Sequence, residues 1–158
     1  MSVKKNRSSC NSRWPGQSDG FSLIEVLISV LILSVGLLGT ARLQVLGLSY
    51  NQSAYLRSQA SIVAYDIVDR MRANPIGVAS GGYNAIDSTT PPSDPACIAA
   101  GCTDTELIAH DIRDWSLASL AILPSGSGTV TRNGNIFTVT VNWAEKGAVE
   151  NVSFTFRL

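Results

Sequence analysis

The chain has 158 residues, with 12 basic and 12 acidic side chains, one histidine and three cysteines. The balanced charge gives no electrostatic reason to expect nucleic-acid binding. The length allows one small domain with a modest core beside any membrane segment.

The chain begins with a basic leader, residues 1–20, followed by a long apolar run. The leader has one acid, Asp19, and four bases: Lys4, Lys5, Arg7 and Arg13. The run continues from Phe21 to about Ala41, which gives the ~20 residues that a helix needs to cross a bilayer. The positive charges before it predict a cytoplasmic N-terminus. Removing the leader's four bases and one acid leaves 8 basic and 11 acidic residues, a net charge of −3.

Glu25 is the only charge in the apolar run. A carboxylate inside an apolar segment is disfavoured by about 2.5–3.5 kcal/mol on insertion scales, so it is usually functional or paired. The combination of Gly20, Phe21, Glu25 and the unbroken apolar tail resembles the class III signal of type IV pilins and type II secretion pseudopilins. The resemblance implies that a prepilin peptidase cleaves between Gly20 and Phe21 and methylates Phe21. It also implies that Glu25 pairs with the Phe21 ammonium group of a neighbouring subunit.

Two other interpretations of the N-terminal region stay open. An ordinary secretory signal peptide could be cleaved at Gly39-Thr40-Ala41, but its apolar core would be only 7–15 residues long and would have Glu25 at its edge. A plain signal anchor that holds an enzyme on the membrane has no need of Gly20-Phe21 or of Glu25.

Beyond the apolar run the pattern becomes amphipathic. Apolar residues recur at spacings of three and four on one helical face: Leu56, Ala60, Val63, Ile67 and Met71. Asn74-Pro75 ends this pattern, because the residue before a proline avoids the helical region. One helix is therefore predicted over residues 21–73.

The end of this helix has the sequence Asp69-Arg70-Met71-Arg72-Ala73-Asn74-Pro75. Asp66 can pair with Arg70 at i, i+4, and the charges of Asp69, Arg70 and Arg72 are interpreted as a solvated helix end. A helix that ends in this way, followed by a Gly-rich loop with Tyr83, resembles the minor pilins of the PilV (type IV pilus modification protein) subgroup.

Residues 76–101 are predicted to form a variable loop, because Gly, Ser, Thr and Pro are frequent in them. Asp87 and Asp94 in this loop, and Asp104 just beyond it, lack EF-hand spacing. They are interpreted as solvated acids rather than as calcium ligands.

Cys97 and Cys102 are separated by four residues, whereas the third cysteine, Cys10, lies in the leader. On the periplasmic side such a pair indicates a disulfide, worth about 2 kcal/mol in the chain-entropy treatment. The alternative is half of a zinc site, but a second pair of ligands is required and His110 is the only histidine. We therefore expect neither a metal site nor a cofactor.

The last third of the chain is predicted to contain a helix and three antiparallel strands. Thr103 and Glu106 form a capping-box pattern at the start of a helix that runs to about Leu120. Asn133-Gly134 is a strong hairpin signal, and Glu145-Lys146-Gly147 marks a second turn. Apolar residues alternate with polar ones around that turn: Phe137, Val139, Val141, Trp143, Val152, Phe154, Phe156 and Leu158.

A sheet with one apolar face can cover the apolar stripe of the long helix. The predicted fold class is therefore α+β. It is a pilin fold in which a long N-terminal helix packs on a small antiparallel sheet, with a variable loop and a second short helix. Trp115 and Trp143 stand at apolar positions and are predicted to be core residues.

No catalytic constellation is found in the sequence. His110 and Asp111 are adjacent on a helix face that is predicted to be exposed, and such neighbours rarely have the geometry of a catalytic pair. We therefore expect a protein that acts by association and is not an enzyme.

Three regions are predicted: a leader (1–20) removed by prepilin peptidase, a transmembrane and filament-packing helix (21–41), and a periplasmic or extracellular head (42–158). The expected function is that of a minor type IV pilin in pilus assembly or initiation. Its expected partners are the peptidase, other minor pilins, the major pilin and the inner membrane, with no nucleic acid. Before assembly it would span the inner membrane once, and afterwards it would lie in the pilus. The alternatives are a minor pseudopilin of a type II secretion system and a membrane-anchored periplasmic enzyme.

Overall fold

The computed structural model describes residues 20–158. The predicted leader apart from Gly20, including its bases and Cys10, lies outside the described residues. The chain divides into two compact units; the described part of the first is residues 20–44, and the second is Val45–Leu158.

The described part of the first unit is almost entirely helical. The first helix, α1, is Leu23–Ala73, so its residues 23–44 belong to this unit. The amides of Glu25 and Val26 open the helix by donating to the Ser22 carbonyl, at 3.0 and 3.2 Å. Every side chain of residues 20–44 is exposed within the chain. A helix that is apolar on all sides needs an apolar environment around it.

The second unit contains the rest of α1 and all of the other elements. Three helices follow α1: α2 (Pro75–Ala79), α3 (Cys97–Ala100) and α4 (Asp104–Asp114). A π-helical turn (Trp115–Ser119) and a 3-10 turn (Leu120–Ile122) continue directly from α4. Four strands form one antiparallel sheet in the order β1 (Ala85–Asp87), β2 (Ser127–Asn133), β3 (Ile136–Glu145) and β4 (Ala148–Phe156).

The core lies between the second half of α1 and one face of the sheet. α1 contributes a buried stripe: Leu56, Ala60, Val63, Ala64, Ile67, Val68 and Met71. The central strands contribute Val130, Phe137, Val139, Val141 and Trp143, all essentially inaccessible. Trp115 is also fully buried, and its indole Nε1 donates to the Val63 carbonyl at 2.9 Å. The predicted stripe, the two core tryptophans and the α+β pilin fold are confirmed.

Two tight turns set the register of the sheet. β2 and β3 are joined through Gly134-Asn135, and Gly134 has a φ of +59°. β3 and β4 are joined through Lys146-Gly147, where both residues have positive φ, as a type I′ turn requires. Both predicted hairpins are present, and their register places alternate residues of β3 on the core face.

Local structure differs from the sequence prediction in three places. Residues 76–101 are not loop throughout, because they contain α2, β1 and α3, and β1 raises the number of strands from three to four. β1 has three residues, which is too short to show an alternating pattern. Regular α-helix ends at Asp114 and not near Leu120. Leu158 lies beyond β4 and is exposed, so it does not belong to the apolar face.

Candidate functional site

The predicted processing residues lie just before the first turn of α1. Gly20 and Phe21 precede the helix, and the Phe21 side chain is 83% exposed. A Cβ added at Gly20 would meet no atom within 4 Å. Packing within residues 20–158 therefore does not require a glycine here.

Glu25 lies in the first turn of α1, where the helix dipole favours an acid. Its side chain is exposed, and no ion pair holds its carboxylate within the described part of the chain. An 18-residue window of the same helix has a mean hydropathy of 2.3 with none of it buried, so the helix is long and apolar enough to cross a membrane. The geometry is that of a single carboxylate on an uncovered apolar surface.

Cys97 and Cys102 are joined by a disulfide, as the sequence predicted. The bridge closes the single turn of α3 and ends one residue before Thr103, the N-cap of α4. The predicted capping box is present, because Thr103 Oγ1 accepts from the Glu106 amide at 3.3 Å and the Glu106 carboxylate accepts from the Thr103 amide at 2.9 Å. The Thr103 amide, and also the Thr103 hydroxyl at 2.8 Å, donate to the Glu106 carboxylate and lower the pKa of Glu106. The disulfide and the cap together restrain the entry into α4.

A buried polar network, which the sequence analysis missed, connects the end of α1 to α2 and α4. Asn74 Oδ1 accepts from the Gly77 amide at 2.9 Å, and Asn74 Nδ2 donates to the Asp104 carbonyl at 2.8 Å and to the Tyr83 hydroxyl at 3.3 Å. The Tyr83 hydroxyl donates in turn to the Asp111 carboxylate at 2.5 Å. Asn74 and Asp111 are only 2% and 5% exposed. Asn74 therefore both ends α1 and fixes the segment that follows it.

Arg70 connects this network to two further acids. Its guanidinium lies 3.2 Å from Asp66, 3.7 Å from Asp111 and 2.5 Å from Asp114. The predicted Asp66–Arg70 pair is confirmed, but the interpretation of Arg70 as solvated is wrong, because its side chain is largely covered. Arg72 does lie at an exposed helix end, where it pairs with another exposed side chain.

The pKa shifts of Asp111, Tyr83 and Arg70 indicate the charge state of each group in the network. Burial raises the pKa of Asp111, although the Tyr83 hydrogen bond and the charge of Arg70 act in the opposite direction. Burial and the hydrogen bond to Asp111 raise the pKa of the Tyr83 hydroxyl. Burial alone would lower the pKa of Arg70, but the hydrogen bond from Arg70 to Asp114 and the charge of Asp66 outweigh burial and raise it. Tyr83 therefore remains a neutral donor and Arg70 remains charged, which suits a structural clamp.

The sequence contains one signal for the acids that contact Arg70. Asp111 and Asp114 are spaced i, i+3, so they project from neighbouring positions on α4. The residue of α1 that faces them cannot be read from the sequence, because it depends on how the two helices pack.

The remaining candidate ligands have local structural roles. Asp87 and Asp94 each accept a hydrogen bond from the backbone amide two residues further on, and Asp104 lies in the first turn of α4. His110 is half-exposed rather than fully exposed, and the carboxylate of its neighbour Asp111 already accepts from Tyr83. Within residues 20–158, no group of three or more His, Cys, Asp or Glu side chains is placed to hold a metal ion.

Comparison with known families gives two matches that adjoin in the sequence. A model of the prokaryotic N-terminal methylation motif matches residues 17–41. A family model described as type IV pilin Tt1218 matches residues 42–113. Together they cover the chain from the end of the leader through most of α4. No curated protein and no solved structure matches the chain.

Proposed function

We propose that this chain is a minor type IV pilin that enters a pilus through its N-terminal helix, because a type IV pilin model matches residues 42–113 and the N-terminal methylation motif matches residues 17–41. Pilins are structural proteins, so the proposed mode of action is association and not catalysis. The observation that carries the proposal is the uncovered apolar half of α1, which begins within the methylation motif and continues into a folded head.

In this proposal the chain is made as a membrane-inserted precursor. Prepilin peptidase removes residues 1–20 by cutting between Gly20 and Phe21, and it then methylates the new amine of Phe21. Residues 21–41 span the inner membrane once, with the leader in the cytoplasm, and residues 42–158 lie on the other side. The four bases of the leader support this orientation through the positive-inside rule.

Glu25 has a specific role in the proposal. In the assembled complex its carboxylate pairs with the Phe21 ammonium group of a neighbouring subunit. Each charge is costly in an apolar environment when it is alone, and pairing removes much of that cost. The same pair sets the axial register, because a slipped subunit leaves both charges unmatched.

The end of α1 supports an assignment to the PilV subgroup of minor pilins. Asn74 and Tyr83, which carry much of that resemblance, contact each other in the buried network. This contact gives a physical reason for an asparagine before the proline and a tyrosine after the Gly-rich segment. In such a subgroup the partners are other minor pilins and the major pilin, in a small complex that initiates the fibre.

The processing step is tested by changing the size of residue 20. We expect Gly20→Leu to block cleavage and Gly20→Ala to be partly cleaved, because the proposed peptidase requires a small residue there. A Cβ at Gly20 meets no neighbour and the residue is exposed before the helix, so we expect both substitutions to leave the described fold undisturbed. Mass spectrometry of the wild-type protein should find N-methyl-Phe21 at the mature N-terminus. A mature chain that begins near Arg42 would instead identify an ordinary signal peptide.

The assembly step is tested by Glu25→Ala. The variant should insert into the membrane and be cleaved normally, but it should fail to co-purify with partner pilins. The reason is that an unpaired buried charge costs about 3–5 kcal/mol. Glu25→Gln keeps the shape and hydrogen bonding without the charge, so its defect should be milder.

Surface pili are counted in parallel with co-purification in this experiment. Normal co-purification and normal piliation by Glu25→Ala would show that head contacts, and not Glu25, hold the protein in its complex. Loss of protein secretion with normal pili would assign the chain to a type II secretion system.

A further inference from the structure

A groove of about 540 Å³ lies on the head where the end of α1, α2 and the ends of two strands meet. One wall is apolar and is formed by Met71, Pro75 and Val78. Three arginines that are distant in the sequence also line it, together with Ala79 and Leu158: Arg72, Arg132 and Arg157. Beyond the leader the sequence shows no basic cluster, and the fold creates this one.

Arg132 is held in place by neutral groups. Its Nε donates to the Gly134 carbonyl at 2.8 Å, one terminal nitrogen donates to Asn84 Oδ1 at 3.1 Å, and the guanidinium carbon lies 5.0 Å from the centre of the Phe137 ring. None of these partners carries a negative charge. The guanidinium is therefore oriented but not neutralised, and it retains donors for another acceptor.

The other two arginines differ in how their charge is compensated. Arg72 is paired with Asp69 at 2.9 Å. For Arg132 and Arg157, no ion pair is formed with any acid in residues 20–158. The groove thus presents two uncompensated cations beside an apolar wall.

We propose that this groove binds a peptide segment of a partner protein in which a carboxylate side chain stands next to an apolar one. The fixed fork of Arg132 matches a carboxylate, Arg157 adds a second cation, and the apolar wall accepts the neighbouring side chain. The volume of about 540 Å³ falls in the range of pockets that hold small ligands, roughly 300–1,000 Å³, which suits a short peptide segment. An extended polyanion such as nucleic acid fits less well, because residues 21–158 have a net charge of −3 and a nucleic acid requires a long track of cations.

The test uses the full mature chain in detergent micelles and a short fluorescein-labelled peptide that contains a leucine between two glutamates. Fluorescence anisotropy measures its binding. A second peptide has glutamine in place of both glutamates, and a labelled single-stranded oligonucleotide supplies a different polyanion. We expect the acidic peptide alone to bind, with an affinity that falls at moderate salt.

Two arginine variants and one matched control locate the site. Arg132→Gln should weaken binding of the acidic peptide by about tenfold or more, because it removes a charge-assisted hydrogen-bond donor. Arg157→Gln should weaken it less. Arg57→Gln removes the same unit of charge from an exposed arginine outside the groove and should leave binding unchanged. Circular dichroism checks that all three variants fold.

Three results would overturn the proposal. One is no binding of the acidic peptide to the folded wild-type chain. Another is an equal loss of binding in Arg57→Gln, which would mean non-specific attraction. The third is tighter, Arg132-dependent binding of the oligonucleotide, which would identify the groove as a nucleic-acid site.

Discussion

The two parts of α1 differ in how their apolar side chains are covered. Residues 23–44 are apolar around the whole helix, and none of them is buried within the chain. Residues 45–73 place their buried side chains on one stripe, which the sheet and α4 cover. A stripe can be covered by a single neighbouring layer, whereas a helix that is apolar on all sides has to be surrounded. The first part therefore depends on a membrane or on other subunits, and the second part depends on its own head.

The polar residues of α1 follow the same division. Glu25 has no ion-pairing partner in the described part of the chain. Arg70, in the second part, has three acids around it. The proposed partner of Glu25 belongs to another subunit, while the partners of Arg70 belong to the same head. Substitutions in the two parts should therefore affect different properties, association in one and stability of the head in the other.

The largest expected effect on stability comes from replacing a buried isoleucine of the second part of α1 by alanine. The same replacement at an exposed isoleucine of the first part is the control. Ile67→Ala should lower the free energy of unfolding of the head by roughly 2–5 kcal/mol, because Ile67 is 0% exposed and its loss leaves a cavity. Ile32→Ala, at a position that is 65% exposed, should change it by less than about 0.5 kcal/mol. Chemical denaturation of the full mature chain in micelles, followed by the fluorescence of Trp115 and Trp143, measures both.

Two outcomes with Ile67→Ala and Ile32→Ala would contradict this difference between the two parts of α1. A similar loss of stability in both would show that the first part of α1 contributes to the stability of the head. A negligible loss in both would show that Ile67 is not a tightly packed core residue.

A smaller effect is expected from the disulfide. Replacing Cys97 and Cys102 together by serine should lower the free energy of unfolding by about 2 kcal/mol, the value for a short closed loop. Because the bridge lies in the head, processing at Gly20 and membrane insertion should be unchanged. Intact-mass measurement after alkylation should first confirm that wild-type protein from the periplasm has no free thiol at these two positions. Two alkylated cysteines in native material would contradict the assignment.

The main elements of the fold could be predicted because each has a strong local signal. The stripe from Leu56 to Met71 has helical spacing, Asn74-Pro75 stops the helix, and the alternation from Phe137 to Trp143 gives a strand. β1 could not be predicted, because three residues carry no periodicity and its position depends on pairing with β2. Phe154 and Phe156 lie on the predicted apolar face but are only partly covered, because β4 is an edge strand of the sheet.

The candidate sites also divide into those with a local sequence signal and those formed only by packing. Gly20, Phe21 and Glu25 form a motif that is contiguous in sequence, so reading the chain is enough to propose them. The groove arginines and the Tyr83–Asp111 contact join residues that are far apart in the chain. Only the packed head brings them together, and a single sequence contains no signal for such pairs.

The smallest expected effect concerns the pH dependence of the head. Burial raises the pKa of Asp111 above its ordinary value of 3.8, so the folded head holds this proton more tightly than the unfolded chain. As the pH rises from 3.8 through the raised pKa, the unfolded state loses its proton first, and the head becomes less stable. Asp111→Asn keeps an acceptor for the Tyr83 hydroxyl and cannot ionise, so this fall in stability should disappear. Glu106 and Glu145 have lowered pKa values, so they make the head more stable as the pH rises towards about 4.5. Both residues are present in the wild type and in Asp111→Asn, so their contribution cancels when the two stability curves are subtracted.

Tyr83→Phe sharpens this test because it should enlarge the titration of Asp111, whereas Asp111→Asn abolishes it. The Tyr83 hydrogen bond lowers the pKa of Asp111, so its removal should raise that pKa further and steepen the fall in stability with rising pH. Denaturation curves of the wild type and the two variants between about pH 3 and 8 give the slopes. The expected order of the fall is Tyr83→Phe, then wild type, then Asp111→Asn. Identical pH profiles for all three proteins would show that Asp111 keeps an ordinary pKa and that its contact with Tyr83 acts through packing alone. Neither variant should change co-purification with partner pilins. Tyr83 and Asp111 lie in the head, whereas the proposed assembly contact lies in the first part of α1.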